Sequence, residues 1–280
     1  MTAMQQSYLA CPLCEGKSEF LGSADCTAYV NWHAALPPTL EWMRCANCGH
    51  VHTQHYWTQA GLTEVFRNAH ATQLAGATGS PDAKRATWAP VVDKAIGLLG
   101  GYAGSMDPAA SSTWLDVGCG DGALVMTATD FGFNAIGLDA RAETVSRIRS
   151  LGFKAQVGDF MQVGVEGRVD VMSMMDVLEH MPFPSQALAK AAQVLRPGGV
   201  LVMSLPDMSC SSWRLMDAEK ANPYWMEIEH HHNFSRQRLV ALLRQHEFEV
   251  AGFAIPLRYK AQMEVYAVNH GSSKKQEPWN

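Results

Sequence analysis

The chain has 280 residues, 47% of them hydrophobic, and a formal net charge of −5. That is room for one large domain, alone or with a small module, and for a sizeable core; the negative balance speaks against a nucleic-acid binder. No stretch approaches the about 20 apolar residues of a membrane span, and MTAMQQSYLACPLC lacks the basic-then-apolar order of a signal peptide, so a cytoplasmic protein without membrane contact is expected.

Residues 1–57 read as a small, poorly hydrophobic module. Five of the seven cysteines lie in the first 48 residues, four of them as two C-x-x-C pairs, Cys11 with Cys14 and Cys45 with Cys48. In a cytosolic chain such pairs read as metal ligands before disulfides. Four thiolates on two turns make a closed, structural zinc site, whereas a redox site needs only one pair. Cys26 is left as a bystander.

Residues 58–108 read as a helical connecting or lid segment. One amphipathic helix is predicted over Asp82–Leu99, opened by Ser80-Pro81-Asp82. Gly100, Gly101 and Gly104 break it, and Asp107-Pro108 marks a loop. Residues 109–270 then alternate short apolar runs with helical stretches. Strands are predicted at Trp114–Val117, Asn134–Leu138, Phe153–Val157, Val169–Met174 and Val200–Leu205. Helices fall between them at Asp121–Phe131, Arg141–Leu151 and Ser185–Leu195, with a sharp turn at Arg196–Gly199. An irregular stretch, 206–234, precedes a helix capped by Ser235 and two closing strands, Phe248–Ile255 and Gln262–Val268. The fold class is α/β, a parallel sheet covered by helices on both faces. The tail, 271–280, is expected to be disordered.

The stretch WLDVGCGDGALV, Trp114–Val125, is a strand running through a glycine turn into a helix. No lysine follows the turn, so it is not an ATP-type phosphate loop. Gly118, Gly120 and Ala123 satisfy the dinucleotide pattern, and Asp139 ends the next strand. Charge decides between the remaining ligands. A pyrophosphate needs the bare N–H groups of a helix entry, yet Asp121 occupies that entry and Asp116 precedes the turn. Two carboxylates suit a cationic ligand with a ribose and no phosphate. S-adenosylmethionine (SAM) is such a ligand, and Asp139 can accept from both ribose hydroxyls. After the third strand, Asp159 can accept the adenine amino group and Phe160 can pack beside it.

With LDVGCGDG, GLD, GDF and DVLEHMP in order, and RPGG before the fifth strand, the region from Thr113 to Val268 resembles the class I SAM-dependent methyltransferases, in the small-molecule branch related to ubiquinone-type enzymes. The resemblance implies a Rossmann-like, seven-stranded sheet whose last strand is antiparallel. It implies SAM across the carboxyl ends of the first strands, with Asp176 joining Asp116, Gly118, Gly120, Asp121, Asp139, Asp159 and Phe160 as its ligands. It also implies that 206–234 is a lid over the acceptor. The run Glu229-His230-His231-His232-Asn233-Phe234-Ser235 resembles the segment that precedes the late helix in that family.

An oxygen or carbon acceptor needs a base, and histidine titrates in the right range. His230 and His231 lead, with His180 beside them; Tyr224, Trp225, Glu229 and His232 are expected to line the acceptor pocket. The expected activity is methylation of a hydroxyl on a small molecule, a sugar or secondary metabolite. Its rivals are sugar C-methylation, base methylation of ribosomal RNA through the zinc ribbon, and a non-catalytic scaffold. Residues 1–66 carry only Lys17 and Arg44 as fixed cations, too few for phosphate binding. The oligomeric state is left open, a homodimer included.

Overall fold

A computed structural model describes residues 4–66, 81–100, 112–164, 168–256 and 261–271. The glycine-broken loop expected at 101–108 and the tail at 272–280 lie outside the described residues.

The amino-terminal module holds strands β1 (Gln5–Ser7), β2 (Ser18–Asp25), β3 (Thr39–Cys45), β4 (Val51–Thr53) and β5 (His55–Trp57). Helices α1 (Gln59–Val65) and α2 (Pro81–Leu98) follow. Next come β6 (Thr113–Val117), α3 (Ala123–Asp130), β7 (Asn134–Asp139), α4 (Ala142–Ser150), β8 (Lys154–Val157) and β9 (Val169–Met175). The chain closes with α5 (Pro184–Val194), β10 (Leu195–Pro206), α6 (Ser211–Ala218), β11 (His232–Asn233), α7 (Arg236–Gln245), β12 (Phe248–Ala254) and β13 (Gln262–Asn269).

Seven of these strands form one sheet in the order β12-β13-β10-β9-β6-β7-β8. All neighbours are parallel except the pairs that β13 makes with β10 and β12. The last strand is therefore antiparallel, as expected. Period-two burial explains why the sheet needs cover on both sides. Leu115, Val117, Met172, Met174, Leu201 and Met203 pack under α5 and α7, through Leu188, Ala191, Leu239 and Leu243. Trp114, Val171, Val200 and Val202 pack on the other face under Val91, Val92, Leu124, Val125 and Ile148. Helix α2, predicted over Asp82–Leu99, thus covers one face of the sheet. Among the described residues no helix is long and apolar enough to cross a membrane.

The chain runs β6 to β7 to β8 toward one edge, then returns to β9 and β10 on the other side. That order reverses between β6 and β9, and open α/β sheets take their ligands at the carboxyl ends of the strands at such a reversal. The predicted turn at Arg196–Gly199 survives as a register shift inside β10. The stretch 206–234 is more regular than expected: it holds α6, a short 3-10 turn at Pro223–Trp225, and β11.

β11 does not join the large sheet. It pairs antiparallel with β4, His232 opposite His52 and Asn233 opposite Val51, and so completes a second sheet in the order β11-β4-β3-β2. The amino-terminal module and the expected lid are one piece of structure.

Candidate active site

Strand β6 ends in a turn folded back onto β7. The N–H groups of Gly118 and Cys119 donate to Leu138 O at 2.8 and 3.2 Å. Gly118 has φ +68°, and a Cβ there would stand 2.6 Å from a methyl of Val177, so a side chain would be strained and would have to displace that valine. Asp121 takes the N–H of Ala123 at 3.1 Å and pairs with Lys84 from α2.

Asp139 ends β7 and is buried. Its Oδ2 accepts from Gly120 N at 3.1 Å and Arg141 Nη2 at 2.8 Å; its Oδ1 accepts from Arg141 Nε at 2.8 Å. The two-oxygen contact foreseen for a ribose is made here by the Arg141 guanidinium. Asp116 lies inside, accepting from Ser173 Oγ at 2.6 Å, with Trp114 Nε1 donating to that hydroxyl. Asp159 accepts the Met161 N–H at 2.9 Å, and buried Phe160 has Lys190 over its ring. Asp176 adopts φ +58° just past β9, an uncommon conformation for a non-glycine residue, and accepts from Ser204 Oγ at 2.7 Å. Arg141, Lys84, Ser173 and Ser204 were not foreseen. Arg141 alone had a signal, its place two residues after the carboxylate it holds.

Beyond Asp176 the turn Leu178–His180 meets the lid, and the four lid and turn histidines differ sharply there. His180 Nδ1 donates to Glu229 O at 3.0 Å. A carbonyl only accepts, so in the neutral ring Nε2 is the basic nitrogen. His230 packs edge-on to His180, ring centroids 4.7 Å apart. Its Nδ1 stands 3.0 Å from Glu227 Oε2 but off the hydrogen-bond axis, a charge pairing rather than an aligned bond. His231 is tied by its backbone, N to Glu179 O and O to Thr53 N, both at 2.9 Å, while its ring Nε2 is buried without a partner. His232 donates from Nε2 to Met181 O and accepts at Nδ1 from His50 Nε2, both at 3.0 Å. With both nitrogens engaged, His232 fastens the lid to the module instead of facing an acceptor.

Glu179 is fully buried with neither oxygen hydrogen-bonded by its side chain. One Glu179 oxygen and one ring nitrogen each of His180 and His230 come within 4.8 Å of one another, a donor set that a shared proton or a cation would satisfy. Tyr224 stacks on Trp213 at 5.1 Å, and Trp225 Nε1 donates to Asp217 at 2.7 Å. Glu229 is held by Tyr29 and Asn31 of the amino-terminal module.

Burial pushes the Glu179 carboxyl up to about 8, against the pull of His230. For His230, burial alone would lower the value; Glu227 first, then Glu179 and Glu229, outweigh it and carry the ring to about 9. Burial and then His180 and His230 push His231 down to about 3. His50 and His232 are driven well below their ordinary value by burial and by neighbouring histidines. His50, His231 and His232 bind fewer protons folded than unfolded, so stability rises with pH as the unfolded rings deprotonate toward 6.5. Glu179 and His230 bind more protons folded, so stability falls as pH climbs from their ordinary 4.5 and 6.5 through about 8 and about 9. Melting temperatures across this range should therefore peak on the slightly acid to neutral side. A curve still rising beyond that point would contradict the assigned charge states.

The four thiols Cys11, Cys14, Cys45 and Cys48 also converge, all within 4.8 Å, with Sγ–Sγ separations of 3.8 Å for Cys11–Cys48 and 3.4 Å for Cys14–Cys45. A tetrahedral zinc with sulfur at about 2.3 Å requires sulfurs about 3.8 Å apart, so the donor set fits that ion.

The reversed strand order, the glycine turn and the acidic residues at the strand ends define the class I SAM-dependent methyltransferase architecture. A methyltransferase-domain family model matches residues 91–251, more than half of the chain, and the chain belongs to that family. Over 108 residues it is 35% identical to the ubiquinone biosynthesis O-methyltransferase of Erwinia tasmaniensis, covering 35% of this chain and 44% of that protein. Over 133 residues it is 32% identical to an uncharacterized 37.1 kDa protein in transposon TN4556 of Streptomyces fradiae, covering 44% and 39%. The chain thus spans less than half the length of these curated relatives. The fold is similar to that of magnesium protoporphyrin IX methyltransferase from Synechocystis, solved with bound S-adenosylhomocysteine: TM-score 0.56, 17% identity, 76% of this chain and 100% of that one.

Proposed function

We propose that the protein methylates a hydroxyl of a small molecule, a sugar or secondary metabolite, using SAM, and that its four cysteines bind a structural zinc ion. The observation that carries the reading is the series of carboxylates at the strand ends, Asp116, Asp139 and Asp176, leading to the cluster of buried Glu179, half-buried His180 and buried His230 where the Leu178–His180 turn meets the lid. Carboxylates suit a ligand with an ammonium and a sulfonium and would repel a pyrophosphate. Gly118, Gly120, Asp116 and Asp121 would hold the methionine part, Asp139 the ribose, and Asp159 with Phe160 the adenine; Asp176 completes the set. SAM when bound supplies an electrophilic methyl group. The protein's own work is then to align the acceptor oxygen and to take its proton.

His180 is the favoured base, because the Glu229 carbonyl fixes its proton on Nδ1. His230, cationic near neutrality, would steady the charge that develops around the acceptor. The name of the Erwinia relative, an O-methyltransferase, supports oxygen as the acceptor atom. The amino-terminal module, occupied with the lid and poor in cations, favours a small molecule over RNA.

The first test is calorimetric titration with SAM and, separately, with NAD. SAM should bind and NAD should not. Asp139→Ala should weaken SAM about tenfold or more, the usual worth of hydrogen bonds to a charged group. NAD binding tighter than SAM would overturn the reading. A radiolabelled methyl-transfer screen over hydroxylated sugars and phenols then addresses the acceptor.

A further inference from the structure

Several contacts bind the cysteine module to the lid, the His50–His232 hydrogen bond among them. Trp42 Nε1 donates to Trp225 O at 2.9 Å and Trp57 Nε1 to Ile228 O at 2.8 Å. Strand β4 pairs with β11, and Thr53 N donates to His231 O. One further contact differs from these because it ends on a charged side chain. Tyr29 and Asn31 lie on the connection between β2 and β3. The Tyr29 hydroxyl donates to Glu229 Oε1, and Asn31 Nδ2 donates to the same oxygen at 3.1 Å and to the Tyr29 oxygen at 3.3 Å.

Glu229 is only 8% exposed, and its second oxygen, Oε2, is buried without a hydrogen-bond partner. A half-satisfied buried carboxylate is costly and is kept where something else completes it. Its neighbours are the cluster already described: His180 donates to its backbone oxygen, and its charge bears on His230. A carboxylate oxygen only accepts, so the missing partner is a donor, and a hydroxyl is the donor that the methylation reading brings to this place.

We infer that the cysteine module is a working part of the acceptor site: Tyr29 and Asn31 are positioning residues that hold one oxygen of Glu229 and leave the other to receive a hydroxyl of the acceptor. The inference rests on the hydroxyl-methylation reading and goes further, in giving the module a role in acceptor recognition. It commits the acceptor to at least one hydroxyl that binds Glu229, whether or not that hydroxyl is the one methylated.

The test uses the full chain and the best hydroxylated acceptor from the screen. Tyr29→Phe and Asn31→Ala should each raise the acceptor KM about tenfold, with the SAM dissociation constant and melting temperature close to wild type. Tyr56→Phe, which removes an exposed hydroxyl bonded to Gln6, should change nothing. Glu229→Ala should raise KM at least as far, and adding Tyr29→Phe to it should raise KM no further. A residue acting only on module stability would instead add its effect to that of Glu229→Ala. Wild-type KM in both Tyr29→Phe and Asn31→Ala, or additive effects in the double variant, would overturn the inference while leaving hydroxyl methylation intact. If wild-type protein binds SAM but methylates none of the hydroxylated compounds, the hydroxyl reading falls and takes this inference with it.

Discussion

Cys45→Ala, or a chelator that takes the proposed zinc, is expected to loosen the lid as well as the cysteine module. The module's own apolar cluster is small, built on Cys26, Leu36, Leu40, Trp42, Val51 and Trp57, and modules of this size rarely hold together without a metal or disulfides. Structural zinc in such sites contributes folding free energy directly, of order ten kcal/mol in isolated peptides. The loss propagates because β11 has only β4 as a sheet partner and because Cys11, Leu13 and Cys45 sit in the same buried cluster as Phe234. The melting temperature should fall by about 10 °C or more, since about 1 kcal/mol moves a domain of this size by roughly 2–4 °C. Hydrogen exchange should report the change locally, with amides of 225–233 losing protection while those of β6, β7 and β9 keep theirs. SAM affinity should stay within about threefold, because the described partners of Asp116, Asp139 and Asp176 all lie in the methyltransferase half. Metal analysis giving less than one zinc per chain would remove the premise. A lid equally protected in the metal-free protein would show that the module is an appendage.

The large sheet was legible in the sequence because its signal is local. Trp114 and Leu115 alternate between two buried faces, Gly118 marks a turn where a side chain would be strained, and Ser235 caps α7 by accepting from Arg238 N at 3.2 Å. The lid was not legible, because its order is non-local. Strand β11 has two residues and exists only because β4, some 180 positions earlier, supplies its partner. Helix α6 is eight residues long, too short for periodicity to stand out. The three consecutive histidines could not be told apart from their letters. What separates them is Glu227 beside one, Glu179 O on the backbone of the next, and Met181 O with His50 on the third. The row of acidic residues could be read as a charge pattern, but not the guanidinium on Asp139: propensity says nothing about where an arginine side chain folds.

His180→Ala is expected to cut methyl transfer by about a hundredfold to ten-thousandfold, the usual contribution of a general base, and to leave SAM binding unchanged. A base works best with a pKa near the working pH. His230 is held at about 9 and is cationic near neutrality, so it has no lone pair to offer. His231, pushed down to about 3, has a lone pair but little proton affinity. His232 has both nitrogens engaged. His180 remains, half-buried at the mouth of the cluster, with the tautomer set by Glu229 O. Alanine also removes that hydrogen bond, so the sharper variant is His180→Asn. The asparagine amide puts an N–H near where the imidazole Nδ1–H was and can keep the bond to Glu229 O, but it cannot take a proton. His180→Asn should therefore retain the wild-type melting temperature and acceptor KM while losing kcat almost as far as alanine. His231→Ala should lower kcat by less than about tenfold. His230→Ala should chiefly change the pH dependence, because it removes the cation that holds Glu179 toward its ionised form. Turnover by His180→Asn at the wild-type rate would eliminate His180 as the base and return the question to His230, in a charge state opposite to the one its three carboxylate neighbours impose.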